Sequence, residues 1–205
     1  MHENFSGQVS PVGGRVEQSP EPVKITTTVE ILQKLDPEDL KKLCVKLAEV
    51  ESSTFPDEMA VDAEEIEEVL SNPRGVHILV KGADGHEIGY LSTVPHSENL
   101  AGLQEWDPEI IDIPDALYIE SIATIPNERS PRNFIETFKK LFDEARAKGY
   151  KKITMHARQR RGFSKAIQEL FGAKLIKHYD DWCEFGEPFD YLEIDIPEEG
   201  SEIIK

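Results

Sequence analysis

The stretch Ala116 to Ile125, stopped by Pro126 and followed by a long amphipathic run, constrains this chain more than any other feature. The segment is mostly apolar, as a central strand covered on both faces is. Pro126 to Pro131 breaks the chain. Phe134, Phe138, Leu141, Phe142 and Ala145 then recur at helical spacing up to Gly149, so the pattern predicts a helix over 131–148. A strand feeding a helix start presents free backbone N–H groups and a positive dipole end, a combination that binds phosphate. Ser130 suits the cap, Pro131 suits the first turn, and Arg129 and Arg132 flank the same end. The same residues also make an ordinary helix start, and the spacing alone leaves both readings open.

The rest of the chain builds a layered fold around that unit. Asp36-Pro37-Glu38-Asp39 opens a first helix, with Leu40, Leu43, Cys44, Leu47 and Val50 as its inward stripe. A second helix starts at Asp62, with Ile66, Val69 and Leu70 inward and Glu64, Glu65, Glu67 and Glu68 as a solvated face. Val76 to Val80 and Glu87 to Val94 flank the turn Gly82-Ala83-Asp84-Gly85 as a β-hairpin. Residues 95–115 carry three prolines and six acids and read as an acidic insertion loop. Beyond the central unit come a strand over 152–157, a helix over 162–171, and strands over 174–179 and 189–196. This order predicts an α+β fold of mixed α/β layers, with helices packed on one sheet. Residues 1–23 are rich in Gly and Pro and poor in large apolar groups, so they read as a disordered tail; 24–197 form the domain, and 198–205 a C-terminal tail.

Charge narrows the function classes. The net charge is −17, which favours a soluble chain and argues against general nucleic-acid binding. Between Arg129 and His178, however, fourteen Lys and Arg face four Asp and Glu, so an anionic ligand is expected locally. Arg158-Gln159-Arg160-Arg161 lacks the interleaved aromatics of a nucleic-acid site. No apolar run reaches the ~18–20 residues of a membrane span. Met1 to Gln8 is polar, without the apolar stretch of a signal peptide, and the two cysteines have neither metal-ligand nor redox spacing. A cytoplasmic protein with no metal and no membrane contact is the expectation.

The element order, with Tyr118 to Pro126 leading through Arg129 into a long helix, resembles the GCN5-related N-acetyltransferases. Leu170-Phe171-Gly172-Ala173 with Lys174 to Tyr179 resembles that family's closing helix and strand, and Phe185 to Ile194 its last hairpin. The resemblance covers roughly residues 25–196. It implies a mostly antiparallel central sheet with helices on both faces, and acetyl-CoA as co-substrate in a splay between two central strands. Ile122 and Thr124 would pair their backbone with the pantetheine arm. Arg129, Ser130, Arg132 and Asn133 would hold the pyrophosphate. Glu120 would act as general base on the acceptor amine, and Tyr179, with His178 beside it, stands in reserve as an acid. The alternative for Glu120 is an ordinary carboxylate paired with a basic side chain. Two departures stand out. The family's phosphate-loop glycines correspond to Arg132 and Phe134, and its general-acid tyrosine corresponds to Gln168. The resemblance therefore implies acetyl transfer to a primary amine of a small molecule or protein. A cationic acceptor would be drawn by Glu105, Glu109, Asp112 and Asp115, and a homodimer is left open. The alternative is a binding or regulatory protein that has kept the fold and lost the chemistry. A groove filled by side chains near Phe134 and Arg132 would favour the latter; an open one would oppose it.

Overall fold

The computed structural model describes residues 27–201. In chain order the elements are β1 (Thr28–Ile31), α1 (Pro37–Thr54), α2 (Ala63–Leu70), β2 (Ile78–Lys81), β3 (Glu87–Pro95), α3 (His96–Trp106), β4 (Ala116–Thr124), α4 (Pro131–Ala147), β5 (Lys152–Arg158), α5 (Phe163–Phe171), β6 (Lys174–Tyr179) and β7 (Phe189–Asp195). The seven strands form one sheet in the order β1-β2-β3-β4-β5-β7-β6. Every neighbour pair is antiparallel except β4 and β5, which are parallel.

Local chemistry explains the helix starts. Asp36 accepts from the amides of Glu38 and Asp39 at 3.0 Å and places Pro37 at the head of α1. Asp62 and Glu65 close a reciprocal capping box on α2. The sheet is covered on both faces, which is why its central strands have no polar side. Ile78 and Val80 of β2 pack with Phe138, Leu141 and Phe142 of α4, whereas Leu79 between them packs with Leu47 and Val50 of α1. A third apolar group, around Tyr118, Trp182, Phe189 and Tyr191, joins α3 to the end of the sheet holding β5, β6 and β7.

Two elements differ from the sequence reading. The segment expected as an insertion loop contains α3, because no proline falls between Pro95 and Pro108 and Leu100 and Leu103 turn onto Tyr118 and Trp182. A four-residue edge strand, β1, precedes α1; it is short and half polar, and only its pairing with β2 defines it. The expected tail over 1–23 lies outside the described residues.

The site is positioned by what happens between β4 and β5. Their pairing covers only Ala116 with Lys152, Leu117 with Ile153 and Tyr118 with Thr154, after which the strands part. The cause is on the other edge of β4. Its register against β3 steps from Ser121 opposite Ser92 to Ile119 opposite Thr93, so Glu120 is an extra residue, a β-bulge. Bulges bend and twist the strand that carries them. This one turns β4 away from β5, which stays paired with β7 along its whole length.

Candidate functional site

A cavity of about 1010 Å³ occupies the opening between the two strands. It is lined on one side by the α4 and α5 ends, and on the other by the loop after α1 and the loop between β6 and β7. Glu120, Ile122, Thr124, Arg129, Ser130 and Asn133 all lie in its wall, although the sequence separates them only by pattern. Arg132 and Tyr179 do not. Arg132 is exposed on the outer side of the first turn of α4. The Tyr179 hydroxyl donates to the Asp107 carboxylate, which also receives Lys177 at 2.7 Å; burial first, and then this bond, raise the phenol's pKa far above its ordinary value. Tyr179 is therefore committed as a donor to a carboxylate behind the cavity wall.

One half of the cavity is basic. Arg129, Arg158, Arg160 and Arg161 all reach it. Among the described residues only Arg158 of the four has a carboxylate partner, Glu187. Burial and the nearby charges of Arg161 and Arg158 pull the Arg129 pKa down, the signature of like charges held together. Ser130 occupies the cap position of α4 but makes no side-chain cap bond, and no acid sits in the first turn. The Asn133 side chain accepts from Thr27 at 2.7 Å through Oδ1. Its Nδ2 is buried with no partner among the described residues. An unsatisfied donor, an uncapped helix start and guanidinium groups converge on the same space.

Phe134, at a position where the resembling family has a small residue, does not obstruct this half. Its ring packs on Phe138, Phe163 and Phe171 with centroids 5.1, 6.0 and 5.7 Å away, so it forms the floor of the groove and leaves it open. Strand alternation places the backbone groups of Ile122 and Thr124 on the edge facing the opening. The Thr124 carbonyl already accepts from Thr54 Oγ1 at 3.2 Å and Arg129 Nε at 3.3 Å.

The other half is acidic and aromatic. Glu120 accepts from the Asn99 amide at 2.6 Å and has no cationic partner among the described residues. Water can reach the carboxyl from the cavity, yet the protein surrounding it is dense enough that desolvation raises its pKa to about 7. Glu51 is only 1% exposed and accepts from Tyr90 at 2.6 Å and Ser121 at 2.5 Å; burial raises its pKa too. His156 stacks flat on Trp182, 3.6 Å between centroids at 10°. Its Nδ1 lies 3.0 Å from the Tyr118 hydroxyl, and burial lowers its pKa to about 3, so the ring is neutral. The acidic residues of 105–115 are spent elsewhere. Glu109 pairs with Lys177, Asp115 with Lys151, and Asp112 faces His96 at 3.7 Å. Glu105 is exposed, and none of the four borders the cavity.

Sequence reasoning missed Glu51, His156 as a wall residue, and Trp182. For Glu51 a signal existed. It lies four residues after Leu47 on the buried stripe of α1, where a carboxylate is out of place. Trp182 sits in an irregular loop and carries no periodic signal.

No family model matches the chain, and no curated protein matches it in sequence. Solved structures match it in fold. The yncA protein of Salmonella typhimurium, determined with acetyl-CoA, aligns over 86% of this chain and 97% of its own, at TM-score 0.60 and 13% identity. The ribosomal-protein-S18-alanine N-acetyltransferase of Escherichia coli aligns over 88% and 100%, at 0.59 and 14%. The aminoglycoside 6'-N-acetyltransferase of Enterococcus faecium aligns over 85% and 99%, at 0.60 and 13%. At such identity the likeness is one of fold, and it matches the α+β architecture the sequence implied.

Proposed function

We propose that this chain, which has the fold of the GCN5-related N-acetyltransferases, transfers an acetyl group from acetyl-CoA to a primary amine. One observation carries the reading: a single cavity runs through the opening between β4 and β5 and joins an arginine-lined half to a half holding a carboxyl with a pKa near 7.

The residues present suit acetyl-CoA. Arg129, Arg160 and Arg161 supply charge for the phosphates, and Ser130 and the free Nδ2 of Asn133 supply hydrogen bonds. In this chain the phosphate contacts move from backbone to side chains, because Pro131 removes an amide from the helix start. The unpaired edge of β4 at Ile122 and Thr124 offers backbone amides to an extended amide-bearing arm, as an adjacent strand would.

Glu120 is the base. As a carboxylate it takes a proton from the acceptor ammonium, and the freed nitrogen lone pair attacks the acetyl carbonyl. The new C–N bond forms, the C–S bond breaks and its electron pair leaves on sulfur; the second amine proton passes to water as the amide forms, and water returns a proton to the sulfur. A base with a pKa near 7 is half ionised at neutral pH, close to the optimum for such a transfer. Gln168, whose amide donates to Ser164 at 3.0 Å, cannot protonate the leaving sulfur. A thiol's ordinary pKa of about 8.5 makes that protonation a small demand. The open groove beside Phe134 speaks for this reading over a scaffold that has lost its chemistry.

The test is calorimetric titration with acetyl-CoA at low and moderate salt, followed by release of free thiol on addition of amines. Micromolar binding that weakens in Arg129→Ala, and turnover that depends on Glu120, are expected. Absence of binding at millimolar acetyl-CoA overturns the proposal.

A further inference from the structure

The part of the cavity beside Glu120 is walled by Met59, Tyr118, Trp182, Phe185 and Phe189, and Phe55 marks its border with the arginines, the Arg158 guanidinium lying 5.7 Å from its ring centroid. Resting on the acetyl-transfer reading, we infer that the acceptor is a monoamine carried on an aromatic or comparably apolar body, an arylalkylamine, in preference to a polyamine, an amino sugar or a lysine side chain in a polar peptide.

Three features support this acceptor class. Two loops supply most of the wall, the one following α1 through Phe55 and Met59, and the one between β6 and β7 through Trp182 and Phe185. A hydroxyl-rich body placed against such a wall loses water without gaining hydrogen bonds, which weakens its binding. Second, the charge available matches one ammonium. Glu51 already receives two hydroxyls and is sealed from solvent, which leaves Glu120 as the carboxyl free to face a cation, and Asp107, Glu109 and Asp115 are held in ion pairs outside the wall. A polyamine would bring charges that meet no partner there. Third, the surface is preset: His156 and Trp182 are stacked, and the neutral imidazole adds no competing charge beside the flat face. Ring faces favour both apolar bodies and cations.

The experiment uses the full chain saturated with CoA and measures binding of 2-phenylethylamine, 2-phenylethanol, spermidine and kanamycin by calorimetry, with acetyl transfer measured separately using acetyl-CoA. Binding of 2-phenylethylamine about tenfold or more tighter than that of each comparator is expected, as is weakening by about tenfold in Trp182→Leu and, as a second variant in case the first is poorly folded, Phe185→Leu. Tighter binding of spermidine or kanamycin, equal binding of the neutral alcohol, or no binding of 2-phenylethylamine at millimolar concentration each overturns the inference. Amine binding without acetyl transfer leaves the amine site standing and removes the acetyl-transfer reading, so the two failures are distinct.

Discussion

The two halves of the cavity share the same strands and differ in almost everything else. The half under α4 and α5 is lined by arginines with a single carboxylate partner among the described residues, and by a helix start that no side chain caps. The half under the loop after α1 and the loop before β7 places two carboxyls among aromatic rings, and every charge in it is held by hydrogen bonds or driven towards neutrality. The arginine half presents exposed guanidinium groups of Arg129, Arg160 and Arg161 to an incoming anion. In the aromatic half the dense protein around Glu120 partly desolvates its carboxyl, and this lifts its pKa into the range useful for proton transfer. Glu120 lies at the junction because the bulge that opens the sheet is Glu120 itself.

The largest effect should come from the junction. Glu120→Gln is expected to lower kcat/KM for any accepted amine by about 10²–10⁴-fold while acetyl-CoA affinity stays within about twofold. An equal loss in both would merge the two halves into one functional unit. Next, combined Arg129→Ala and Arg161→Ala should weaken acetyl-CoA by about 10²–10⁴-fold and flatten its salt dependence, since each charged hydrogen bond contributes about 1.5–3 kcal/mol. Amine binding should be unmoved.

The pH response should separate the halves more finely. Glu120 must be ionised to act, so kcat/KM should fall as pH drops below about 7, and this acid limb should vanish from the residual activity of Glu120→Gln. Stability carries the opposite sign. The fold raises the pKa of Glu120 from 4.5 to about 7, so it favours the neutral acid; the stability this confers is present below 4.5 and is lost as pH rises through 7. Glu120→Gln should therefore stabilise the chain more at pH 8 than at pH 5, as read by denaturant midpoints. The smallest effect is a contrast within one turn: Arg132→Ala, exposed outside the wall, should change acetyl-CoA affinity by less than about twofold. A loss equal to that of Arg129→Ala would place the phosphates across the outer face of α4.

Much of the arginine half was legible in the sequence because it is local. Arg129, Ser130, Pro131 and Asn133 fall within five consecutive positions between a strand and a helix whose patterns are both strong, and Arg158, Arg160 and Arg161 form one short run. The aromatic half was not legible because it is assembled from distance. Glu51 meets Tyr90 thirty-nine residues away and Ser121 seventy away, and Trp182 reaches His156 from an irregular loop. The expected acidic loop illustrates the same limit. Its carboxylates suggested attraction of a cation, yet packing of Leu100 and Leu103 made the segment helical, and Glu109 and Asp115 found lysines outside the cavity.

Which segments are strands and helices over most of the chain, and where the local positive charge gathers, follow from neighbouring residues, since periodicity, capping and charge are local properties. Long-range packing makes Glu120 the bulged residue, turns Phe134 into the aromatic floor so that the groove stays open, and ties Tyr179 to Asp107. Those outcomes depend on register between strands and on which side chains meet across a sheet. They are set by the packing of the whole chain, because a single-residue step in pairing redirects side chains from one face to the other.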